Sequence, residues 1–180
     1  MAFPLKSDPE TSFLAWTTTP WTLPSNLALC VHPEFKYVKI HDMERKRNFI
    51  ILEKRLVMVY KDPKKALNKQ YKILENYIGK ELEGLEYEPL FNYFCSTFEG
   101  VAYKVLNDTY VTDEDGTGIV HQAPAFGEDD YRVSSKYGII NDGRPPPCPI
   151  DEAGVYTAEV TDYVGQYVKV SIHSYLRLIS

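Results

Sequence analysis

The chain alternates short apolar runs with turn-prone polar residues. Runs of about four to eight residues that are rich in aromatic and β-branched side chains predict β-strands. The first predicted strands are Thr11–Trp16, Leu27–Val31, Phe35–Ile40 and Phe49–Leu52. Because only short turns separate several of them, we expect a β-meander. The later predicted strands are Ala102–Leu106, Tyr110–Thr112, Ile119–His121, Val155–Ala158 and Tyr163–Val170.

Helical patterns are few. Pro63–Lys69 follows the start signal Asp62-Pro63, and Gly127–Gly138 has acidic residues in its first turn and a glycine at its end. Less clear are Leu56–Tyr60 (strand or short helix), Tyr71–Ile78 (ambiguous) and Ser174–Leu178 (short terminal helix). Many strands and few helices predict a mainly β fold, with a closed β-barrel core and peripheral short helices.

Length and composition fit one domain over residues 1–180, with 44% hydrophobic residues. No apolar run approaches the roughly 20 residues of a membrane helix. Met1–Pro9 lacks the pattern of a secretory signal, so we expect a cytoplasmic protein. Cys30, Cys95 and Cys148 are widely spaced, which favours reduced thiols over a disulfide framework or a zinc site. We expect no metal.

The net charge of -5 argues against a broad nucleic-acid surface. Basic clusters nevertheless occur at Arg45–Arg47, Lys54–Arg55 and Lys61–Lys65. They are either solvated faces or short contacts with a nucleic-acid backbone.

One candidate for chemistry is the threonine-rich segment from Trp16 to Asn26. Its two prolines, Pro20 and Pro24, exclude a helix, and its threonine hydroxyls each donate one hydrogen bond and accept others. Such a loop can hold a water or a ribose. The alternative is a turn whose hydroxyls only satisfy backbone groups.

The second candidate is Gly116–Tyr131. A predicted strand delivers His121 to a loop, and Gly127 then begins a helix with Asp130 in its first turn. A carboxylate at a helix start stays ionised and is a natural partner for an ammonium group. Alternatively, Asp129 or Asp130 only complements the helix dipole, and His121 is a satisfied core histidine.

Together the two segments resemble the connective-peptide editing domain of class I aminoacyl-tRNA synthetases. The form Thr-Thr-Thr-Pro-Trp-Thr-Leu-Pro-Ser-Asn, from Thr17 to Asn26, is similar to isoleucyl-tRNA synthetases, whereas valyl and leucyl relatives typically have Arg-Pro-Glu-Thr in place of Thr19–Thr22. The resemblance covers essentially the whole chain, although the tail from Ser171 departs from it. The synthetic signatures His-Ile-Gly-His and Lys-Met-Ser-Lys-Ser are absent.

The resemblance implies hydrolytic proofreading of valyl-tRNA(Ile) by water, with exclusion of isoleucine. It implies that Asp130 binds the α-ammonium and that His121 narrows the side-chain pocket. The resemblance also implies a set of catalytic positions that orient the attacking water and the ester. They are Thr17, Thr18, Thr19 and Asn26, together with Asp130. The further substrate-binding positions are Trp16, Thr22, Ala123 and Phe126.

The implied partners are the 3′ end of tRNA(Ile) carrying valine and the remainder of a parent synthetase, with the domain itself a monomer. The domain would use no cofactor, since ATP and Mg would serve the parent's synthetic site. Two alternatives stay open: hydrolysis of valyl-adenylate before transfer, and a module that binds the tRNA acceptor end without hydrolysis.

Overall fold

The computed structural model describes residues 1–169 of the chain. Its strands are β1 (Ala2–Pro4), β2 (Thr11–Leu14), β3 (Ala28–Val31), β4 (Lys36–Asp42), β5 (Arg47–Leu52), β6 (Tyr71–Ile78), β7 (Lys104–Asn107) and β8 (Ile119–Gln122). The α-helices are α1 (Pro63–Ala66) and α2 (Glu128–Lys136). Short 3₁₀ helices cover Pro20–Ser25, Glu53–Met58, Gly79–Glu81 and Thr161–Tyr163. No helix within residues 1–169 is both long and apolar enough to span a bilayer.

Two compact units make up the fold. The first consists of Met1–Thr17, Leu29–Glu88 and Lys104–Val120, and the second of Thr18–Ala28, Pro89–Tyr103 and the chain from His121 onward. Each unit therefore combines stretches that are distant in sequence.

A five-stranded sheet in the order β1-β2-β5-β4-β6 dominates the first unit. β5 lies between β2, which it pairs with in parallel, and β4, which it pairs with antiparallel. Because β5 is flanked on both sides, its last four residues are all buried. A hydrophobic cluster on this sheet includes Val38, Ile40, Phe49 and Tyr60, and it holds α1 through Ala66.

The buried carboxylate of Asp42 closes the β4–β5 turn. It accepts hydrogen bonds from the backbone N–H groups of Glu44 (3.0 Å) and Arg45 (2.7 Å), the Arg45 guanidinium (2.9 Å) and the Tyr60 hydroxyl (2.8 Å). Burial by itself raises the pKa of Asp42, but these hydrogen bonds outweigh burial and lower it. The turn is thereby locked by an ionised group.

The smaller sheet has the order β7-β3-β8. Most residues of its strands belong to the first unit.

Side chains and turns organise most of the second unit. Tyr156, Val160, Tyr163 and Val168 form its hydrophobic cluster. α2 begins after Gly127, and Gly138 follows it with a φ of 68°, a left-handed conformation that suits glycine at a helix end.

The mainly β fold with few helices is confirmed, but the predicted closed barrel is wrong. Within the described residues both sheets are open, since β1 and β6 form the edges of one and β7 and β8 the edges of the other. Closure requires the first and last strands of a sheet to pair, and alternation of apolar residues carries no information about that pairing.

Of the predicted β-meander only the antiparallel pair β4–β5 is confirmed; the rest is wrong, because β3 joins the smaller sheet and β2 pairs with β5. Tyr110–Thr112 and the described part of Tyr163–Val170 form no strand, and Val155–Ala158 contributes only isolated bridges at Val155 and Tyr156. The ambiguous Tyr71–Ile78 is β6, and Leu56–Tyr60 overlaps a 3₁₀ helix. The predicted helix Ser174–Leu178 lies outside the described residues.

Candidate functional site

Within the threonine-rich segment, Pro20–Ser25 form a 3₁₀ helix in the second unit. Pro20 stands in its first turn and Pro24 inside it, and Thr19 precedes it. The expectation that the two prolines exclude a helix is therefore wrong, because a proline in the first turn lacks only an N–H that would have no partner in the helix. Thr22 is buried, and both its backbone N–H (3.1 Å) and its hydroxyl (2.9 Å) donate to the Thr19 carbonyl oxygen. Thr18 is exposed and Thr19 is half-buried. The prolines and the two hydrogen bonds from Thr22 to the Thr19 carbonyl oxygen make this loop stiff.

A hydrogen bond joins the threonine-rich segment to the histidine loop. Thr22 Oγ1 lies 3.0 Å from His121 Nε2, across 99 positions of sequence. Directly after the threonine-rich segment, the backbone N–H of Leu27 donates a hydrogen bond to the carbonyl oxygen of Gln122 (2.9 Å) in the histidine loop. The structure thus brings the part of each motif that lies in the second unit, Thr18–Asn26 and His121–Tyr131, together.

His121 is a neutral imidazole at neutral pH. The side chain is 7% exposed, and burial lowers its pKa from 6.5 to about 4. Because the Thr22 hydroxyl uses its single proton on Thr19, it accepts from His121, which assigns the imidazole proton to Nε2. Nδ1 is buried and has no hydrogen-bond partner within residues 1–169. His121 therefore presents an uncharged ring with a lone pair on Nδ1.

Asp130, the third residue of α2, folds back over the helix start. Its Oδ2 accepts from the backbone N–H of Ala123 at 3.0 Å, which fixes the loop before the helix. A turn from Phe126 N to Ala123 O (2.9 Å) shapes the same loop. A Cβ at Gly127 would lie 3.1 Å from Cγ and Oδ2 of Asp130, so glycine leaves room for this carboxylate.

The remaining predicted site residues of the second unit have different surroundings. Asn26 is buried, and its side-chain amide donates to the Ala28 carbonyl (2.9 Å), so it holds the segment that leads into β3. Ala123 is buried, whereas Phe126 is 38% exposed.

Trp16 and Thr17 belong to the first unit. The Trp16 side chain is 49% exposed and lies beside Gly116. It lines two cavities of the first unit, one of about 210 Å³ with Tyr110 and Gly118 and one of about 350 Å³ with Arg45 and Met58.

Sequence reasoning missed Tyr156 as a support of the threonine-rich segment. Its hydroxyl donates to the Trp21 carbonyl oxygen at 2.9 Å. The two residues are 135 positions apart, and nothing in the local pattern around Tyr156 signals this contact.

The described part of the chain contains no group of three or more His, Cys, Asp or Glu side chains placed to hold a metal ion. Cys30 is buried, Cys148 is exposed, and all three cysteines are free thiols. The expectation of a cofactor-free domain stays a prediction.

Sequence comparison identifies several close relatives. A cytoplasmic isoleucine–tRNA ligase of Schizosaccharomyces pombe is 56% identical over 169 residues, which are 94% of this chain and 16% of the relative. The cytoplasmic isoleucine–tRNA ligase of Mus musculus is 51% identical over 179 residues, covering 99% of this chain and 14% of the relative. The chain thus spans about one sixth of the length of these relatives. No protein-family model matches the chain.

Solved structures with the same fold have low sequence identity. The crystal structure of GlLeuRS-CP1 superposes with a TM-score of 0.64 at 19% identity, covering 94% of this chain and 80% of that chain. The editing domain of the Plasmodium falciparum cytosolic leucyl-tRNA synthetase gives a TM-score of 0.64 at 14% identity, covering 94% and 76%. At these identities the likeness establishes a CP1-type fold.

Proposed function

We propose that this chain, which belongs to the isoleucine–tRNA ligase family, hydrolyses the ester bond of tRNA(Ile) mischarged with valine. The observation that carries the proposal is the hydrogen bond between Thr22 and His121, which draws the threonine-rich segment and the histidine loop into one unit. The fold, which is that of leucyl-tRNA synthetase editing domains, supports it.

Proofreading is needed because a hydrophobic pocket discriminates poorly between side chains that differ by one methylene. Isoleucine exceeds valine by one methylene, which is worth only about 1–3 kcal/mol in a hydrophobic pocket. A second pocket that admits valine and excludes isoleucine removes the errors that remain. In the proposal His121 and Thr22 form the wall that excludes the extra methylene.

The neutral state of His121 suits this role. An imidazolium ion there would repel the α-ammonium of the aminoacyl group, whereas a ring with a pKa of about 4 is uncharged at neutral pH. The bond to Thr22 fixes the orientation of the ring. Exclusion is thus steric, by a ring that cannot rotate freely.

In the proposal Asp130 supplies the negative charge that binds the α-ammonium group of the substrate. This carboxylate, which the Ala123 N–H helps to position, binds the ammonium group through a charge-assisted hydrogen bond. The ammonium–carboxylate pair orients the amino acid and rejects uncharged acyl groups.

The chemical step is attack of water on the ester carbonyl carbon. The bond between that carbon and the ribose oxygen breaks, the ribose oxygen takes up a proton, and valine and free tRNA leave. We assign Thr18 and Thr19 to hydrogen bonding of the water and the ribose. Asn26 supports the segment through Ala28. The direct roles of Asn26, Trp16 and Thr17, like the substrate contacts of Ala123 and Phe126, stay predictions.

The setting of the domain is part of the proposal. A parent synthetase would provide the ATP- and Mg-dependent charging reaction and most tRNA contacts, in the cytoplasm, with this segment acting as a monomer. Hydrolysis of valyl-adenylate and tRNA binding without hydrolysis are the competing outcomes.

Asp130→Ala tests the proposal, with Asp129→Ala as the matched control. Both carboxylates lie in the first turn of α2, but Asp129 is exposed and pairs with Arg132 (2.9 Å). We expect Asp130→Ala to lower kcat/KM for valyl-tRNA(Ile) deacylation by about 100-fold or more, through loss of the ammonium partner. The control should stay within about twofold.

The wild-type chain and both variants are assayed with valyl-tRNA(Ile), isoleucyl-tRNA(Ile) and valyl-adenylate. Hydrolysis of valyl-tRNA(Ile) in preference to isoleucyl-tRNA(Ile) is expected. Equal activity of wild type and Asp130→Ala would remove the role of Asp130, and tRNA binding without any hydrolysis would overturn the proposed function.

A further inference from the structure

Positive charge is concentrated in one part of this acidic chain. Between Met43 and Lys72 lie ten of the 20 Lys and Arg residues but only three of the 25 Asp and Glu residues. This stretch therefore carries +7, while the rest of the chain carries -12. Scattered solvating charges do not segregate in this way.

The fold gathers these cations at one end of the five-stranded sheet. The β4–β5 turn, with Lys46, meets the chain before β6 through a bond from Met43 N to Gln70 O (2.9 Å). Arg47 and Tyr71 both pair with Asp42 in the sheet, and His41 pairs with Lys72. The sheet end thus joins residues from three strands and two connections.

The stretch from Lys61 to Lys69 is anchored to the same end. Tyr60 and Tyr71 stack with ring centroids 4.4 Å apart, and the Tyr71 hydroxyl donates to the Pro63 carbonyl (3.0 Å). α1 lies between, packed through Ala66. We call the exposed cations that result, Lys46, Arg47, Lys61, Lys64, Lys69 and Lys72, the basic rim.

The basic rim is electrostatically unsatisfied. Nearby cations outside the rim are engaged, since Arg45 pairs with Asp42, Lys54 with Asp113 and Lys65 with Asp62. None of the six rim residues forms an ion pair within residues 1–169. Their charges are therefore available to an anionic partner.

We propose that the basic rim binds the phosphate backbone of RNA. The inference rests on the proposed function, which supplies tRNA as the RNA. Exposed lysines are suited to phosphates as point charges, and each phosphate contact releases counterions. The net charge of -12 on the rest of the chain disfavours further contacts with phosphates there, so we assign the phosphate-backbone contacts to the rim and the 3′ end to the proposed active site. An anionic membrane fits less well, because α1, with four residues, is too short for an interfacial amphipathic helix.

The test measures binding of uncharged tRNA(Ile) to the full 180-residue chain by fluorescence anisotropy over a series of salt concentrations. The rim variant is Lys64→Glu with Lys69→Glu, and the control is Lys80→Glu with Lys136→Glu, exposed lysines that produce the same change of net charge. Glutamate in the first turn of α1 favours the helix, so the rim variant should fold. If circular dichroism shows otherwise, Lys61→Gln with Lys72→Gln replaces it.

We expect the rim variant to raise Kd about tenfold or more at low salt, and to make the slope of log K against log salt shallower by about 1.5, as for two lost phosphate contacts. The control should change Kd by less than about twofold. Equal effects of both variants, or no binding of tRNA by the wild type at low salt, would refute the proposal that the basic rim binds RNA. Binding of phosphatidylserine vesicles in place of tRNA would overturn it in favour of a membrane.

Deacylation separates this inference from the function on which it rests. In the rim variant KM for valyl-tRNA(Ile) should rise while kcat stays unchanged. If the rim variant hydrolyses valyl-tRNA(Ile) with unaltered KM and Kd, RNA binding by the rim is refuted and the proposed function stands. Rim-dependent tRNA binding without hydrolysis refutes the function and leaves the rim intact.

Discussion

The two compact units are stabilised in different ways. In the first unit a five-stranded sheet satisfies the backbone of consecutive strands, and its central β5 is buried on both faces. In the second unit the loops are held largely by hydrogen bonds of individual side chains. Examples are the bonds that join Thr22 to His121, Asp130 to Ala123 and Tyr156 to Trp21. Most candidate site residues belong to the second unit.

The contrast shows how a rigid scaffold and a shaped loop coexist in one chain. A sheet distributes its stability over many bonds, so removal of one surface group changes little. A loop held by single side-chain bonds depends on each of them. Changes of buried groups in the first unit should therefore alter stability and leave the deacylation step unchanged, whereas changes of these loop contacts in the second unit should alter both geometry and chemistry.

The largest stability effect should come from Asp42→Ala in the first unit. The change removes the acceptor of three protein partners, including the buried Tyr60 hydroxyl. Bonds to a charged group are each worth about 1.5–3 kcal/mol, so we expect a loss of about 3 kcal/mol in the free energy of unfolding, measured by urea denaturation. Tyr60→Phe should cost about 1 kcal/mol. Deacylation kcat at a temperature where the variant is folded should not change.

The next effect is a pH dependence caused by His121. Its pKa is about 4 in the folded chain and has its ordinary value of 6.5 in the unfolded chain, so the unfolded chain binds a proton that the folded chain does not. Stability is full above pH 6.5 and falls as the pH decreases towards 4. The loss should be about 2 kcal/mol at pH 5 and about 3 kcal/mol below pH 4.

His121→Gln isolates this contribution, because an amide retains an N–H donor for Thr22 and does not titrate. Unfolding free energies from pH 7 to pH 4.5 should fall less steeply in the variant than in the wild type. Parallel curves would show that His121 is not a buried neutral base.

Thr22→Val should have a smaller effect on stability and a specific effect on selectivity. It leaves the buried His121 N–H without its acceptor, which costs about 1–2 kcal/mol. Because Thr22 positions the ring, the ratio of valyl- to isoleucyl-tRNA hydrolysis should fall severalfold. Thr157→Val is the control, since its hydroxyl donates to the exposed carboxylate of Glu159 (3.3 Å). An unaltered ratio would make the bond purely structural.

The smallest effect should come from Gly127→Ala. Its φ of -143° suits any residue, but the new Cβ would lie 3.1 Å from the Asp130 carboxylate. A shift of a few tenths of an ångström should lower kcat/KM by about threefold to tenfold with little change in thermal midpoint. Gly143→Ala meets an ordinary 3.5 Å contact with Asn141 Oδ1 and should leave activity unchanged.

The sequence by itself determined most of the local elements and the two motifs of the candidate site. The pattern around Gly127–Gly138 predicted α2 with its acidic start and terminal glycine, and apolar runs located β2, β3, β4, β5 and β8 to within a few residues. The threonine-rich segment and the histidine loop were recognisable as motifs because their residue types are ordered along the chain. Neighbouring residues decide such features, so a local pattern contains them.

Only the tertiary structure decided how those pieces pair. Segments far apart in sequence decide that β2 pairs in parallel with β5 and that β3 belongs to the smaller sheet. They also decide that neither sheet closes into a barrel. The same holds for Thr22 with His121 and for the gathering of the basic rim. Alternation specifies which face of a strand is buried, but any strand with a complementary face can cover it. The choice of partner therefore rests on the packing of the complete fold.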